Sequence, residues 1–395
     1  MVEELKRRLG LGLLTAYGIG IMVGAGIYVL VGAAAGQAGV WAPVSFLLAA
    51  IVAIPTALSF SELSARIPEA AGDSSYVEIG LQKHWLALVV GAINVIAGTV
   101  AAAAVLRGGV GYLTAITPIP FEVGVIGLGV ILTAIAIIGV VESLSFAALM
   151  TLIEVIGLML VIWAGFGAEP VADWTHPPAP YWSGIFAASI FAFFAFIGFD
   201  DLVNMAEEAK NPGFTMPASI LIALGLTAVL YALVSMAAVR AVPQEALAVS
   251  ERPLALVWET ARGGSATFLS AIAVAAALNG VLAQIVMAAR VLYGLGRRSP
   301  SLALFHHSHP RFGTPVRASL MIGGVVIVSA LTMPVAALAE ITSMALLIVF
   351  AIVNAALIGL KRKQPEAPFR VWTIVPWFGL FACVAAFIAA MGPML

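Results

Sequence analysis

The chain has little charge and almost no cysteine. Only 10% of its 395 residues are charged and 62% are hydrophobic, whereas soluble globular domains have ~25% charged and ~45–50% apolar residues. The one cysteine, Cys383, lies in an apolar run, which excludes a disulfide framework and a thiolate metal site. The net charge of −1 argues neither for nor against nucleic acid, and we predict no such partner. The composition therefore indicates a polytopic membrane protein.

Motifs for intramembrane catalysis are also missing. The sequence contains neither an HExxH pair nor a GxSxG serine, and no segment is long enough for a soluble output domain. Three histidines follow a basic stretch in GRRSPSLALFHHSHPRFGTPVR. A basic loop facing anionic lipid headgroups explains that segment better than a metal cluster does. We therefore predict no enzyme, no metal and no cofactor.

Long apolar runs fill most of the chain. At ~20 residues per crossing, the sequence predicts eleven spans, near residues 11–35, 42–63, 85–106, 123–141, 146–168, 183–206, 216–239, 265–289, 317–336, 340–360 and 372–393. The segment ARIPEAAGDSSYVEIG between the second and third spans is predicted to be a loop or a short surface helix.

The positive charges orient these spans. With the N-terminus inside, fifteen of the nineteen Lys and Arg residues fall on cytoplasmic segments. The four others are Arg107, Arg240, Arg252 and Arg262. This skew matches the positive-inside rule. We predict a multi-pass protein of the plasma membrane with a cytoplasmic N-terminus.

Glycines interrupt the first span. Gly18–Leu30 reads GIGIMVGAGIYVL, with four glycines within nine residues, and each glycine costs a helix interior ~0.8–1 kcal/mol relative to alanine. Such residues either pack helices closely or let the backbone unwind around a ligand. Broken backbone inside a membrane must line a cavity or lie within protein. An interrupted helix is the best sequence signal of a transporter binding site.

A second span shows the same interruption. In FAASIFAFFAFIGFDDLVNMAEEAKNP, Gly198 breaks an aromatic run and Asp200 and Asp201 follow at once. The halves 11–168 and 183–360 each begin with an interrupted span, which is the pattern of an inverted-repeat transporter. The span at 372–393 would be additional.

Four sequence blocks resemble a known family. They are Gly18–Leu30, Glu62–Gly72 (ELSARIPEAAG), Phe193–Asp200 (FFAFIGFD) and Glu207–Pro217 (EEAKNPGFTMP). Together they are similar to amino acid permeases of the amino acid–polyamine–organocation superfamily. The chain is most like prokaryotic relatives of cationic amino acid transporters, and the resemblance covers nearly its whole length. It implies an all-α membrane fold with a five-plus-five inverted repeat and about eleven transmembrane helices.

The resemblance also implies a substrate site. The unwound part of the first span would hold the substrate carboxylate, and that of the sixth would hold the ammonium group through carbonyls, with an aromatic residue closing over the substrate. The matching positions are Val23, Gly24, Ala25 and Gly26 in the first span, Phe194, Ala195 and Ile197 in the sixth, and Phe196 as the aromatic residue. Free N–H groups at a half-helix N-terminus attract an anion, in agreement with this assignment.

Glu154 departs from the family pattern. Proton-coupled relatives carry a lysine at this place in the fifth span, and this chain has Glu154. A carboxyl group at mid-span is costly and usually marks an ion or proton pathway, although it can be structural. Leu278 and Asn279 stand where sodium coupling needs paired hydroxyls, which disfavours sodium. Glu154 is therefore the candidate for proton coupling.

The carboxyl groups after the second interruption have two possible roles. Asp200 would either read a basic substrate side chain or form a structural pair. Glu207 and Glu208 would make gating contacts with Arg66 or with a neighbouring base.

The predicted function is secondary transport of an amino acid with proton symport by alternating access. The alternative is an uncoupled exchanger or uniporter for an amino acid, a polyamine or a related amine.

Overall fold

A computed structural model gives the fold and describes residues 7–68, 72–139 and 144–391. The α-helices of this part of the chain are α1 (Leu11–Ala38), α2 (Ala42–Arg66), α3 (Gly72–Leu81), α4 (His84–Thr114), α5 (Phe121–Ile138), α6 (Leu144–Gly167), α7 (Ala172–Thr175), α8 (Trp182–Phe196), α9 (Pro212–Ala241), α10 (Gln244–Val249), α11 (Pro253–Arg262), α12 (Thr267–Arg298), α13 (Val316–Thr332), α14 (Val335–Lys363) and α15 (Ile374–Met391). Short 3-10 helices cover Gly39–Trp41, Asp201–Glu208 and Pro300–Phe305.

The apolar helices match the predicted membrane class. Within the described ranges, nine stretches are long and apolar enough to cross a membrane, and Leu11–Gly24 and Val316–Thr332 are shorter apolar helices. One of the nine, Gly26–Arg66, contains the second part of α1 together with α2. The all-α polytopic fold predicted from the sequence is confirmed. The count of eleven spans stays a prediction.

Several helix boundaries differ from the sequence estimates. The third predicted span continues to Thr114, and the eighth continues to Arg298. The ninth and tenth are separated at Met333 and Pro334. Beyond its apolar part, α12 continues with Arg290, Arg297 and Arg298, and these arginines line a cavity at the candidate site.

Two hydrophobic clusters organise the helices. One is centred on α1, α2, α8, α9 and α14 and also takes in residues of α4 and α12. The other is centred on α4, α5, α12 and α13 and also takes in residues of α1, α8 and α14. Small residues bring helices close together where α4 meets α12, as at Gly109 against Ala277. Such close backbone contacts are typical of membrane helices, which lack a hydrophobic force between them.

A buried charge cluster ties the end of α2 to α14 and to the segment before α15. Glu62 is fully buried, and its carboxylate accepts hydrogen bonds from Arg66 at 2.5 Å and from the backbone N–H of Val371 at 2.8 Å. The Lys361 ammonium lies 2.6 Å from the same carboxylate and donates to the Val371 carbonyl. The guanidinium of Arg66 also bonds to backbone carbonyls of the same segment, at Gln364 and Glu366.

We expect Glu62→Gln to destabilise the protein strongly. The substitution leaves two largely buried cations without their counter-charge, and loss of one partner of a buried ion pair costs roughly 3–5 kcal/mol. Thermal unfolding in detergent, followed by size-exclusion chromatography, should show a midpoint lower by several degrees. Glu366→Gln is the matched control because its side chain is exposed. Equal midpoints for the two variants would contradict this role of Glu62.

Candidate functional site

The first predicted interruption is a break in α1. Gly24 has φ 1° and ψ −162°, which are not helical values, and the helix resumes after it. Val23 is fully buried beside it. The structure describes the backbone of Ala25 but not its side chain. A Cβ added to Gly26 would lie 3.4 Å from the Cα of Ala195, so the first break touches the end of α8.

The second interruption follows α8 directly. The helix ends at Phe196, Ile197 is extended with φ −62° and ψ 137°, and Gly198 has φ 129°. This positive φ favours glycine. A Cβ on Gly198 would lie 2.5 Å from Cγ2 of Ile21 and 3.2 Å from the backbone nitrogen of Met22. The two interruptions therefore pack directly against each other, although about 170 residues separate them in sequence.

Tyr231 of α9 joins the two breaks. Its hydroxyl lies 2.6 Å from the carbonyl oxygen of Met22 and 3.0 Å from that of Ala195. Its ring packs on Phe196 at a centroid distance of 5.2 Å, and both side chains are fully buried. The sequence analysis missed Tyr231 because a tyrosine in an apolar span carries no local signal of such a contact.

A cavity of about 510 Å³ opens beside the breaks. Its walls come from α3, α4, α12, α14 and the segment from Ile197 to Glu208. Of the predicted site residues, Ile197 and Asp200 line it. The described atoms of Val23, Gly24, Gly26, Phe194, Ala195 and Phe196 lie outside its lining. Exposed Arg290, Arg297 and Arg298 stand at its rim, on the side that the sequence predicts to be cytoplasmic.

Three carboxyl groups, those of Asp73, Asp200 and Asp201, line the cavity away from its arginine rim. Asp200 is 8% exposed and accepts a hydrogen bond from the N–H of Gly198 at 3.0 Å. Asp201 accepts one from the amide of Gln284 at 3.3 Å. Asp73, at the start of α3, interacts electrostatically with both of them. Within the described ranges, no Lys, Arg or His side chain forms an ion pair with any of the three.

Asp73 is a second candidate site residue that the sequence did not predict. It is 6% exposed and accepts a hydrogen bond from Asn94 at 2.8 Å. Burial, followed by the nearby charge of Asp200, raises the pKa of Asp73 to about 8. The short helix predicted as a surface feature thus contributes a titratable group to the cavity.

The opposite end of the breaks is closely packed. Tyr112 of α4 donates to the carbonyl oxygen of Tyr28 at 2.6 Å and accepts from the N–H of Leu254 at 3.3 Å. A Cβ on Gly32 would lie 2.5 Å from the carbonyl oxygen of Leu247, so α10 packs tightly on the second part of α1. On this side, therefore, described segments pack closely around the second part of α1, whereas the cavity lies on the side of the arginine rim.

Glu154 lies buried beside the first break. It is 3% exposed, and its Oε2 atom is buried without a hydrogen-bond partner in the described part of the chain. Tyr28 donates to its backbone carbonyl at 2.9 Å. Its carboxyl group interacts electrostatically with the hydroxyls of Tyr28 and Tyr231. Because an unpaired carboxylate is costly to bury, such a group is suited to hold a proton or a cation.

Comparisons with known proteins agree with this architecture. The family model of amino acid permeases matches residues 9–394. This chain belongs to the amino acid permease family. The permease is 30% identical to the methylthioribose transporter of Bacillus subtilis, over 86% of this chain and 78% of the relative. It is 27% identical to a branched-chain amino acid permease of the same organism, over 93% and 83%. It is 29% identical to cationic amino acid transporter 4 of Mus musculus, over 84% and 56%.

The family assignment confirms the broad prediction from the sequence. The permease is a multi-pass membrane transporter of the amino acid and organocation type and not an enzyme. The predicted roles of individual site residues stay predictions.

We expect Gly198→Ala to abolish transport. A side chain there meets the backbone of the first break and strains a positive φ, so the two breaks can no longer pack together. Uptake into proteoliposomes measures the effect, and we expect a loss of at least tenfold. The matched control is Gly225→Ala in α9, where a Cβ meets nothing within 4 Å. Normal uptake by both variants would show that this contact is dispensable.

Proposed function

We propose that the permease moves an amino acid across the plasma membrane by secondary active transport, coupled to protons. The observation that carries the proposal is the contact between two helix breaks at the inner end of a cavity that opens on one side. Val23, Gly24, Ala25 and Gly26 would present backbone N–H groups to the substrate carboxylate. Carbonyls at Phe194, Ala195 and Ile197 would receive its ammonium group, with Phe196 as the closing aromatic residue.

The cavity favours a substrate with a positively charged side chain. Asp73, Asp200 and Asp201 lie close enough to interact, and the described residues offer them no cation. A guanidinium or an ammonium group would relieve their mutual repulsion. One relative is named for cationic amino acids, although others are named for branched-chain amino acids and for methylthioribose. A polyamine or a related organocation would satisfy the same groups.

Proton coupling is assigned to Glu154. Its unpaired oxygen lies in the protein interior, beside the tyrosines that contact the first break. Protonation would neutralise this carboxyl group and change its interaction with Tyr28 and Tyr231. Because Tyr231 reaches both breaks, the protonation state of Glu154 can influence the geometry of the substrate site.

The proposed transport cycle is alternating access around the breaks. The cavity is open at the arginine rim and the other end is closely packed at Tyr112, as an inward-facing state would be. We further propose that residues 11–168 and 183–360 are inverted repeats, that 372–393 is an additional span, and that the N-terminus is cytoplasmic. In such transporters one bundle moves against the other around a central site.

Accumulation driven by a pH gradient tests the coupling. Proteoliposomes containing the wild type should accumulate a labelled amino acid mixture only with an inward proton gradient. Glu154→Gln should lose accumulation and keep exchange, because it removes the titratable group while preserving shape. Glu122→Gln is the matched control, since Glu122 is exposed at the start of α5. Gradient-independent uptake by the wild type and by Glu154→Gln would support the exchanger or uniporter instead.

The pH dependence of binding tests the substrate class. A cationic substrate favours ionised Asp73, so its affinity for purified protein should rise as pH increases from about 6, by up to about tenfold per pH unit, and level off above the Asp73 pKa of about 8. Labelled arginine serves as the cationic probe, and leucine is the neutral comparison. Asp73→Asn should flatten the rise, whereas Asp173→Asn, at an exposed position, should preserve it. An identical pH profile for arginine and leucine would count against a cationic substrate.

A further inference from the structure

The 3-10 helix Asp201–Glu208 and α12 face each other across the cavity. At the inner end, Gln284 of α12 donates to Asp201 at 3.3 Å. From that contact both elements run towards the rim, because Glu208, Arg290 and Arg297 line the same cavity. The two walls are therefore joined by the hydrogen bond between Gln284 and Asp201 and carry opposite charges towards the rim.

Helix geometry brings these charges to similar depths. A rise of about 2.0 Å per residue puts Glu208 roughly 14 Å beyond Asp201. A rise of 1.5 Å per residue puts Arg290 roughly 9 Å and Arg297 roughly 20 Å beyond Gln284. The two arginines lie two helical turns apart and both line the cavity. Measured along each wall from the contact between Gln284 and Asp201, the distance to Glu208 thus falls between the distances to Arg290 and Arg297.

These charges are separated in the open cavity. Arg290 and Arg297 are exposed, and Glu208 is partly exposed. Within the described ranges, none of these three side chains forms an ion pair. The neighbouring Arg298 differs, because its guanidinium bonds to Glu78 of α3 at 3.0 Å. Arg290 and Arg297 are therefore available to a carboxylate that approaches from the other wall.

The wall that carries Glu208 is fastened to the first part of α1. Leu9, just before α1, donates its N–H to the carbonyl oxygen of Glu208 at 3.0 Å. Its own carbonyl oxygen accepts a hydrogen bond from the backbone N–H of Lys210 at 2.8 Å. Further in, a Cβ on Gly18 would lie 3.0 Å from Cδ2 of Leu202. Backbone bonds at one end and close packing at the other make the first part of α1 and the 3-10 helix a single body.

We propose that this body is the inner gate and that Glu208 forms an ion pair with Arg290 and Arg297 when the cavity closes. The proposal rests on the alternating access described above. An exposed pair of this kind is weak, which suits a contact that must form and break in every cycle. The ion pair between Glu208 and the arginines forms only in the closed state. The hydrogen bond between Gln284 and Asp201 is already present in the open state seen here.

The test is the chemical accessibility of a cysteine placed deeper than the proposed pair. Met287 lines the cavity one turn inside Arg290, and the sole native cysteine, Cys383, is buried. Met287→Cys in lipid nanodiscs is labelled with a charged maleimide. Glu208→Gln should increase the labelling rate about threefold or more, because the gate spends less time closed. Arg290→Gln combined with Arg297→Gln should do the same.

A charge exchange and a control make the result specific. Glu208→Arg with Arg290→Glu should restore the original rate, since the pair can form in reverse. Arg298→Gln is the matched control and should leave the rate unchanged, because Arg298 already has its partner on α3. Unchanged labelling in Glu208→Gln, or failure of the exchange to restore the rate, would overturn the gate.

Uptake measured on the same variants separates the two proposals. If the wild type accumulates substrate and neutralising Glu208 leaves labelling unchanged, the gate is wrong and the transport function stands. If the wild type transports no amino acid under any gradient, the proposed function fails whatever the labelling shows. If neutralisation raises labelling and the exchange restores it, the gate is supported independently of the substrate.

Discussion

A broken helix inside a membrane must have its freed backbone groups satisfied by protein, and the structure depends on this constraint. At the two breaks, the partners come from α9 and from the second broken segment itself. The hydroxyl of Tyr231 contacts the carbonyls of Met22 and Ala195, while Asp200 accepts from the N–H of Gly198. Both breaks therefore share a hydrogen-bond donor on α9, and the second break satisfies one of its own N–H groups with Asp200.

This dependence explains why the cavity lies where it does. The breaks meet at one side of the cluster formed by α1, α2, α8, α9 and α14, and the cavity wall continues across α4 and α12 of the second cluster. Polar groups in such an interior need partners from protein, water or ligand. The boundary between the two apolar clusters, where backbone groups are freed, is therefore where we propose that the substrate binds.

Sequence reasoning found the features that are local. Clustered glycines indicated the break at Gly24, because their cost to a helix is visible in a single segment. A single glycine in an aromatic run, followed at once by Asp200 and Asp201, indicated the break at Gly198, and Glu154 stood out as a charge in an apolar run. Tyr231 and Asp73 escaped it for a physical reason. Their roles depend on which face of one helix meets a segment up to 209 residues away, and apolar runs without clear amphipathic periodicity do not specify that face.

Buried and partly buried carboxyl groups divide into two kinds, those with cationic partners and those without. Glu62 has Arg66, Lys361 and a backbone N–H as partners, and it fastens α2 and α14 together. The same helices are joined nearby by Asn354, which bonds to Ser59 at 2.7 Å. Asp73, Asp200, Asp201 and Glu154 have no cationic partner in the described part of the chain. A buried charge that is fully paired stabilises one arrangement, whereas one left unpaired needs a proton or a ligand. In the sequence, Glu62 and Glu154 are both acids in apolar runs, and only their neighbours in three dimensions distinguish them. Glu62 has two cationic partners, whereas Glu154 has none in the described part of the chain and is the group to which we assign proton coupling.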